Sequence, residues 1–76
     1  MTRLPRVTGE EMKKALMRAG FEVIRIKGSH HFMVDPDDHT RWATVAIHKG
    51  EYLALKCTQN ILKSAMLTVE EFSELL

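Results

Sequence analysis

Apolar residues recur first at Met12, Ala15, Leu16 and Ala19, the i, i+3, i+4, i+7 spacing that gathers side chains on one stripe of a helix. Thr8-Gly9-Glu10-Glu11 supplies a start signal. Thr8, as N-cap, can accept from the amide three residues on, while the Glu11 carboxylate returns a bond to the Thr8 amide. Gly20 supplies the stop, because glycine closes a helix in the left-handed conformation at little cost. Pro5 lies before the cap and interrupts nothing.

The period then shortens to two. Phe21 to Lys27 predicts a strand, with β-branched Val23, Ile24 and Ile26. Alternation assigns Ile24 and Ile26 to one face, and Arg25 and Lys27 to the opposite, solvated face. Gly28-Ser29 marks a tight turn into a second strand from His30 to Val34, which ends at Asp35-Pro36-Asp37-Asp38, a polar, solvated loop. A third strand from about Arg41 to Ile47 sets Trp42, Thr44 and Ala46 against Ala43, Val45 and Ile47. Both connections are short, which predicts an antiparallel meander.

From Leu53 the period becomes helical again. Leu55, Ile61, Leu62 and Ala65 form a stripe that is most regular between Thr58 and Ala65. Thr68-Val69-Glu70-Glu71 repeats the capping-box signal and opens a short last helix whose apolar face is Phe72, Leu75 and Leu76. The order is α-β-β-β-α(-α). One side of such a sheet must be hidden, so residues 1–76 are expected to form one two-layer α+β domain, a three-stranded antiparallel sheet with helices packed on one face.

Composition narrows the class. A chain of 76 residues buries only about 60% of its unfolded surface, so the core is thin. With 45% hydrophobic residues it can nonetheless form one, which argues against disorder. The single cysteine, Cys57, cannot make an internal disulfide, and a reducing compartment is expected. No apolar run approaches the roughly 20 residues of a membrane span, and no apolar stretch follows the basic start from Met1 to Arg6. The expectation is a cytoplasmic protein with no membrane partner. The net charge of +1 hides an asymmetry. All 11 lysines and arginines lie within residues 1–63 against seven acids, while Glu70, Glu71 and Glu74 make the far end acidic. A basic body permits nucleic-acid binding without demanding it.

Candidate chemistry concentrates on His30, His31 and His48. Adjacent strand residues point to opposite faces, so one histidine of the pair shares the open face with Arg25 and Lys27 and the other turns toward the helices or the sheet edge. Histidine suits RNA cleavage because an imidazole exchanges protons near neutral pH and RNA carries its own nucleophile, the 2′-hydroxyl. An isolated histidine pair is more often idle strand surface; the Gly28-Ser29 turn and Lys27 beside it are what raise its interest. Ser29 can donate to a phosphate or simply shape the turn. His30, His31, His39, His48 and Cys57 are residue types that zinc accepts, but no C-x-x-C or H-x-x-x-H spacing occurs, so no metal or cofactor is expected. Cys57 reads as a small packed hydrophobe.

Several stretches together resemble the HicA toxins of prokaryotic type II toxin–antitoxin systems. They are Leu4 to Glu10, Ala19-Gly20-Phe21, Lys27-Gly28-Ser29-His30-His31, Ile47-His48, Ile61 to Ala65 and Leu67 to Phe72. Two positions depart from the pattern: Ala46-Ile47-His48 stands where many relatives have Pro-x-His, and Cys57-Thr58-Gln59 where Gly-Thr-Leu is common. The resemblance implies a fold like the double-stranded-RNA-binding domain. It further implies an mRNA endonuclease that inhibits translation and is held inactive by a HicB-like antitoxin. It makes His30 the catalytic histidine, with His31 in reserve and His48 as an accessory. Arg25, Lys27, Ser29 and Lys49 are the expected RNA contacts. A non-catalytic RNA-binding module of the same fold is the alternative, and it needs no histidine at a turn.

Overall fold

A computed structural model describes residues 3–76; Met1 and Thr2, the opening of the basic start, lie outside the described residues. The first helix, α1, spans Gly9–Arg18 and is capped as its sequence requires: the Thr8 hydroxyl accepts from the Glu11 amide at 3.2 Å, and Glu11 Oε1 accepts from the Thr8 amide at 2.8 Å. Met12, Ala15 and Leu16 are buried along its inner stripe. Gly9 is there for space. A Cβ on it would lie 2.6 Å from the Ala46 carbonyl oxygen and 2.9 Å from Ile47 Cα, closer than backbone atoms tolerate.

Strands β1 (Glu22–Lys27), β2 (His30–Asp35) and β3 (Asp38–Ala46) form an antiparallel sheet in the order β1-β2-β3. Helices α2 (Leu55–Ala65) and α3 (Val69–Leu75) follow. The α-β-β-β-α-α order and the three-stranded sheet agree with the double-stranded-RNA-binding type of fold. Met33, Ala43 and Val45 are buried on one face of the sheet and share a core with Met12 and Leu16 of α1, Ile61 and Leu62 of α2 and Phe72 of α3. Trp42, next to Ala43, and His30, which lies at odd spacing from Met33, are exposed, which leaves the other face of the sheet open.

Four expectations need correction. Alternation does not run unbroken through β1, because Val23 pairs with Met33 and Arg25 with Phe32, leaving Ile24 in a bulge. Beyond it Ile24 and Ile26 are 65% and 58% exposed, so neither isoleucine supplies the buried face that their spacing predicted. The polar loop is shorter than read, since β2 runs to Asp35 and β3 starts at Asp38. Asp35 is no solvated turn residue: it is buried and bonded to Arg41 at 3.2 Å while its Oδ1 accepts from the Asp37 amide at 2.9 Å. Leu53 lies before α2 rather than in it, and Leu55 and Leu76 are exposed rather than packed. Leu53 instead donates its amide to the Val7 carbonyl at 2.8 Å, beside a bridge between Thr8 and Tyr52. This clasp ties the segment before α1 to the one before α2.

Candidate functional site: the hairpin turn and the groove beside it

The β1–β2 connection is two residues long, with Lys27 paired to His30 across it. Gly28 takes φ 58°, a value open to glycine and strained for other residues, and so lets the two strands meet without splaying. The Ser29 carbonyl accepts from the Ile47 amide at 2.8 Å, and His30 pairs with Ala46. The hairpin turn and the exit of β3 therefore lie side by side.

The histidine pair is split as strand geometry demands. His31 pairs with buried Val45, is half-buried, and has Nδ1 at 3.2 Å from the Ser29 carbonyl, the placement of a bond donated by the ring N–H. His30 is exposed on the open face. Residues paired directly across a sheet share a face, so Lys27 stands with His30, and Arg25, paired with Phe32, stands with them one pair further along. The Arg25 guanidinium lies 5.9 Å from the Phe32 ring centroid, a contact that steers it over the sheet while leaving it exposed. The fold thus brings His30, Lys27 and Arg25 onto one surface.

The other sequence candidates are placed differently. Ser29 is half-buried in the turn, where its carbonyl accepts from the Ile47 amide. His48 and Lys49 are exposed in the turn that leaves β3, where the His48 carbonyl accepts from the Glu51 amide at 2.9 Å. They continue from Ile47, which bonds to the hairpin turn, but on a loop rather than on the sheet face. Among the described residues no group of three or more His, Cys, Asp or Glu side chains is arranged to hold a metal ion. The two carboxyls held below their ordinary range, Asp38 and Glu71, lie outside this surface and owe their shifts mainly to hydrogen bonds from Thr40 and Thr68 respectively.

One feature went unread in the sequence. A groove of about 320 Å³ runs between β3 and α2, with His30 and Trp42 on the sheet side and Cys57, Asn60 and Ser64 on the helix side. Cys57 is exposed there, which corrects its reading as a packed hydrophobe: the inner stripe of α2 is Thr58, Ile61, Leu62 and Ala65, and Cys57 falls beside it. The placing of Trp42, Thr44 and Ala46 on one face of β3 was visible in the sequence, but which helix would face them was not.

The family model for the HicA toxin of bacterial toxin–antitoxin systems matches residues 9–67, from the first residue of α1 through α2. The chain belongs to the HicA toxin family. No curated protein sequence matches it. As a HicA toxin it is one half of a toxin–antitoxin system, which implies an antitoxin partner. The match spans the hairpin turn, both histidines and the groove, and leaves out α3. No helix among the described residues of this HicA toxin is long and apolar enough to cross a membrane.

Proposed function

We propose that this HicA toxin is a metal-independent endoribonuclease that cleaves mRNA and so inhibits translation, with His30 as general acid and base. In this reading the His30 imidazole takes the proton of a ribose 2′-hydroxyl as that oxygen bonds to phosphorus. The bond to the 5′ oxygen breaks, and the imidazolium returns the proton to it. The products are a 2′,3′-cyclic phosphate and a 5′-hydroxyl. Lys27 and Arg25 offset the charge that builds on the phosphoryl oxygens, with Lys49 and the Ser29 turn holding the flanking backbone and His48 in an accessory place.

The observation that supports this most directly is the company His30 keeps. It is an exposed imidazole directly across from Lys27 at the rim of a groove, while its neighbour His31 is tied back to Ser29. A cytoplasmic HicB-like antitoxin would silence the toxin by covering this face.

The test is expression of wild type and His30→Ala without antitoxin, followed by growth and by mapping of mRNA ends. Wild type arrests growth and fragments mRNA, and the variant does neither, with a cleavage rate lower by about 10²–10⁴-fold. Cleavage of purified RNA persists in EDTA. Equal toxicity of the two proteins removes His30 from the chemistry. Salt-dependent RNA binding without cleavage by either protein assigns the chain to non-catalytic RNA recognition.

A further inference from the structure

The groove beside His30 plays no part in the proton transfers just described, and its lining combines an aromatic face with a few polar groups. Trp42 projects onto the open face of the sheet and is 51% exposed, an unusual position for the largest apolar side chain in a thin-cored domain. Along the same strand Thr44 and Ala46 are small, so nothing fills the space next to the indole. Across the gap α2 presents Asn60 and Ser64. The Ser64 hydroxyl donates to the Ile61 carbonyl at 3.1 Å, which leaves its lone pairs free to accept. The Asn60 amide offers both a donor and an acceptor.

An apolar groove with an aromatic side chain, Leu53 and Ile61 in its lining, and Asn60 and Ser64 among them, suits a flat heteroaromatic ring with hydrogen-bonding edges. The charge on the surrounding surface selects which ring. Lys27 and Arg25 share the open face with His30 and Trp42, which favours a ligand attached to an anionic backbone. The volume of about 320 Å³ is at the small end for a site that takes an organic molecule, enough for one ring system but not for a base pair with its stacked neighbours.

We propose that this groove is a base-binding subsite, which takes one unpaired nucleobase of the RNA, stacked on Trp42 and read at its edge by Asn60 and Ser64. The proposal rests on the reading of His30 as the RNA-cleaving residue. A phosphate held at His30 and Lys27 brings the base of an adjoining nucleotide to the groove mouth. The toxin then cuts single-stranded RNA beside a base it can splay out, and duplex RNA resists it because its bases are already stacked. Trp42 and Asn60 become specificity-determining residues.

The molecule carries its own reporters, since Trp42 is the only tryptophan and Cys57 the only cysteine, and both line the groove. The probe is a mixed-sequence RNA of about ten nucleotides, 2′-O-methylated against cleavage, used alone or annealed to its complement. Single strands are expected to quench Trp42 fluorescence and slow alkylation of Cys57, and the duplex to do neither. Trp42→Ala weakens binding by about tenfold, measured by anisotropy of a labelled probe, while Trp42→Phe retains most of it. Asn60→Ala changes the base preferred at the cut site and leaves the melting temperature unaltered. Unchanged fluorescence and alkylation in the presence of bound single strands overturn the proposal. So do Trp42 and Asn60 variants that bind and cut as wild type does, or a groove that only the antitoxin protects. A protein that cuts no RNA but shows single-strand quenching and Cys57 protection keeps the subsite while losing the nuclease reading, so the two fail separately.

Discussion

Arg41 makes more directional contacts than any other side chain described here. Its Nε donates to the Ala65 carbonyl at 2.9 Å, its Nη1 lies 3.2 Å from Asp35 Oδ2, and its guanidinium lies 5.3 Å from the Phe21 ring centroid. One residue therefore holds the last turn of α2, the end of β2 and the close of the α1–β1 junction. The pair is only partly exposed, and removal of the arginine leaves the Asp35 carboxylate without its partner in a poorly solvated place. Arg41→Ala is expected to cost about 2–3 kcal/mol and to lower the melting temperature by roughly 10–20 °C. Arg41→Lys recovers only part, because an ammonium cannot keep the forked geometry. Thermal denaturation followed by circular dichroism measures both, and an alanine variant that melts with wild type removes Arg41 from this role.

A second residue-scale effect concerns acid. The Glu71 carboxyl sits below its ordinary range because the Thr68 amide, and then the Thr68 hydroxyl, favour its charged form. A carboxyl lowered on folding contributes stability that is complete above about pH 4.5 and is lost as pH falls through the lowered value. Glu71→Gln keeps a capping side chain without the titration. Its stability should fall less than that of wild type between about pH 5 and pH 3, as read by urea denaturation across that window. Parallel pH profiles for the two proteins would show that the cap does not carry this acid sensitivity.

At the scale of elements, α2 ends on Met66 in the left-handed region, with φ 59°, where glycine is the usual residue. Met66 is 62% exposed, so its side chain repays little of that strain. Met66→Gly is expected to raise stability by about 0.5–1 kcal/mol, visible as a higher denaturant midpoint with an unchanged slope. The elements themselves were largely legible beforehand. Both capping boxes, the Gly20 stop and the Gly28-Ser29 turn each act over a few neighbouring residues, and local rules found them. What escaped was set by distant partners. The Ile24 bulge depends on register with β2, Asp35 is buried by Arg41 six residues on, and Cys57 is exposed because α2 rolls its stripe toward Ile61. The candidate site divides in the same way. Splitting His30 from His31 needed only strand alternation, whereas the groove against Trp42 required knowing where α2 lies along β3.

At the scale of the molecule, the histidine turn is assembled from a continuous stretch, but its setting is not. His30 belongs to a hairpin joined to β3, and β3 is held from below by Gly9 of α1, whose missing side chain lets the helix rest on Ala46 and Ile47. The clasp between Val7-Thr8 and Tyr52-Leu53 then fixes where that helix begins. Chain synthesis runs from the amino end, so during translation the imidazole is made well before Leu53, which locks α1 in place, and before α2, which completes the groove. A nascent chain that ends before Leu53 therefore carries the histidine hairpin without the clasp that fixes α1 and without the α2 side of the groove. Limited proteolysis makes this timing measurable: a chain ending at Lys49 should be cut rapidly within residues 9–20, where the full chain resists.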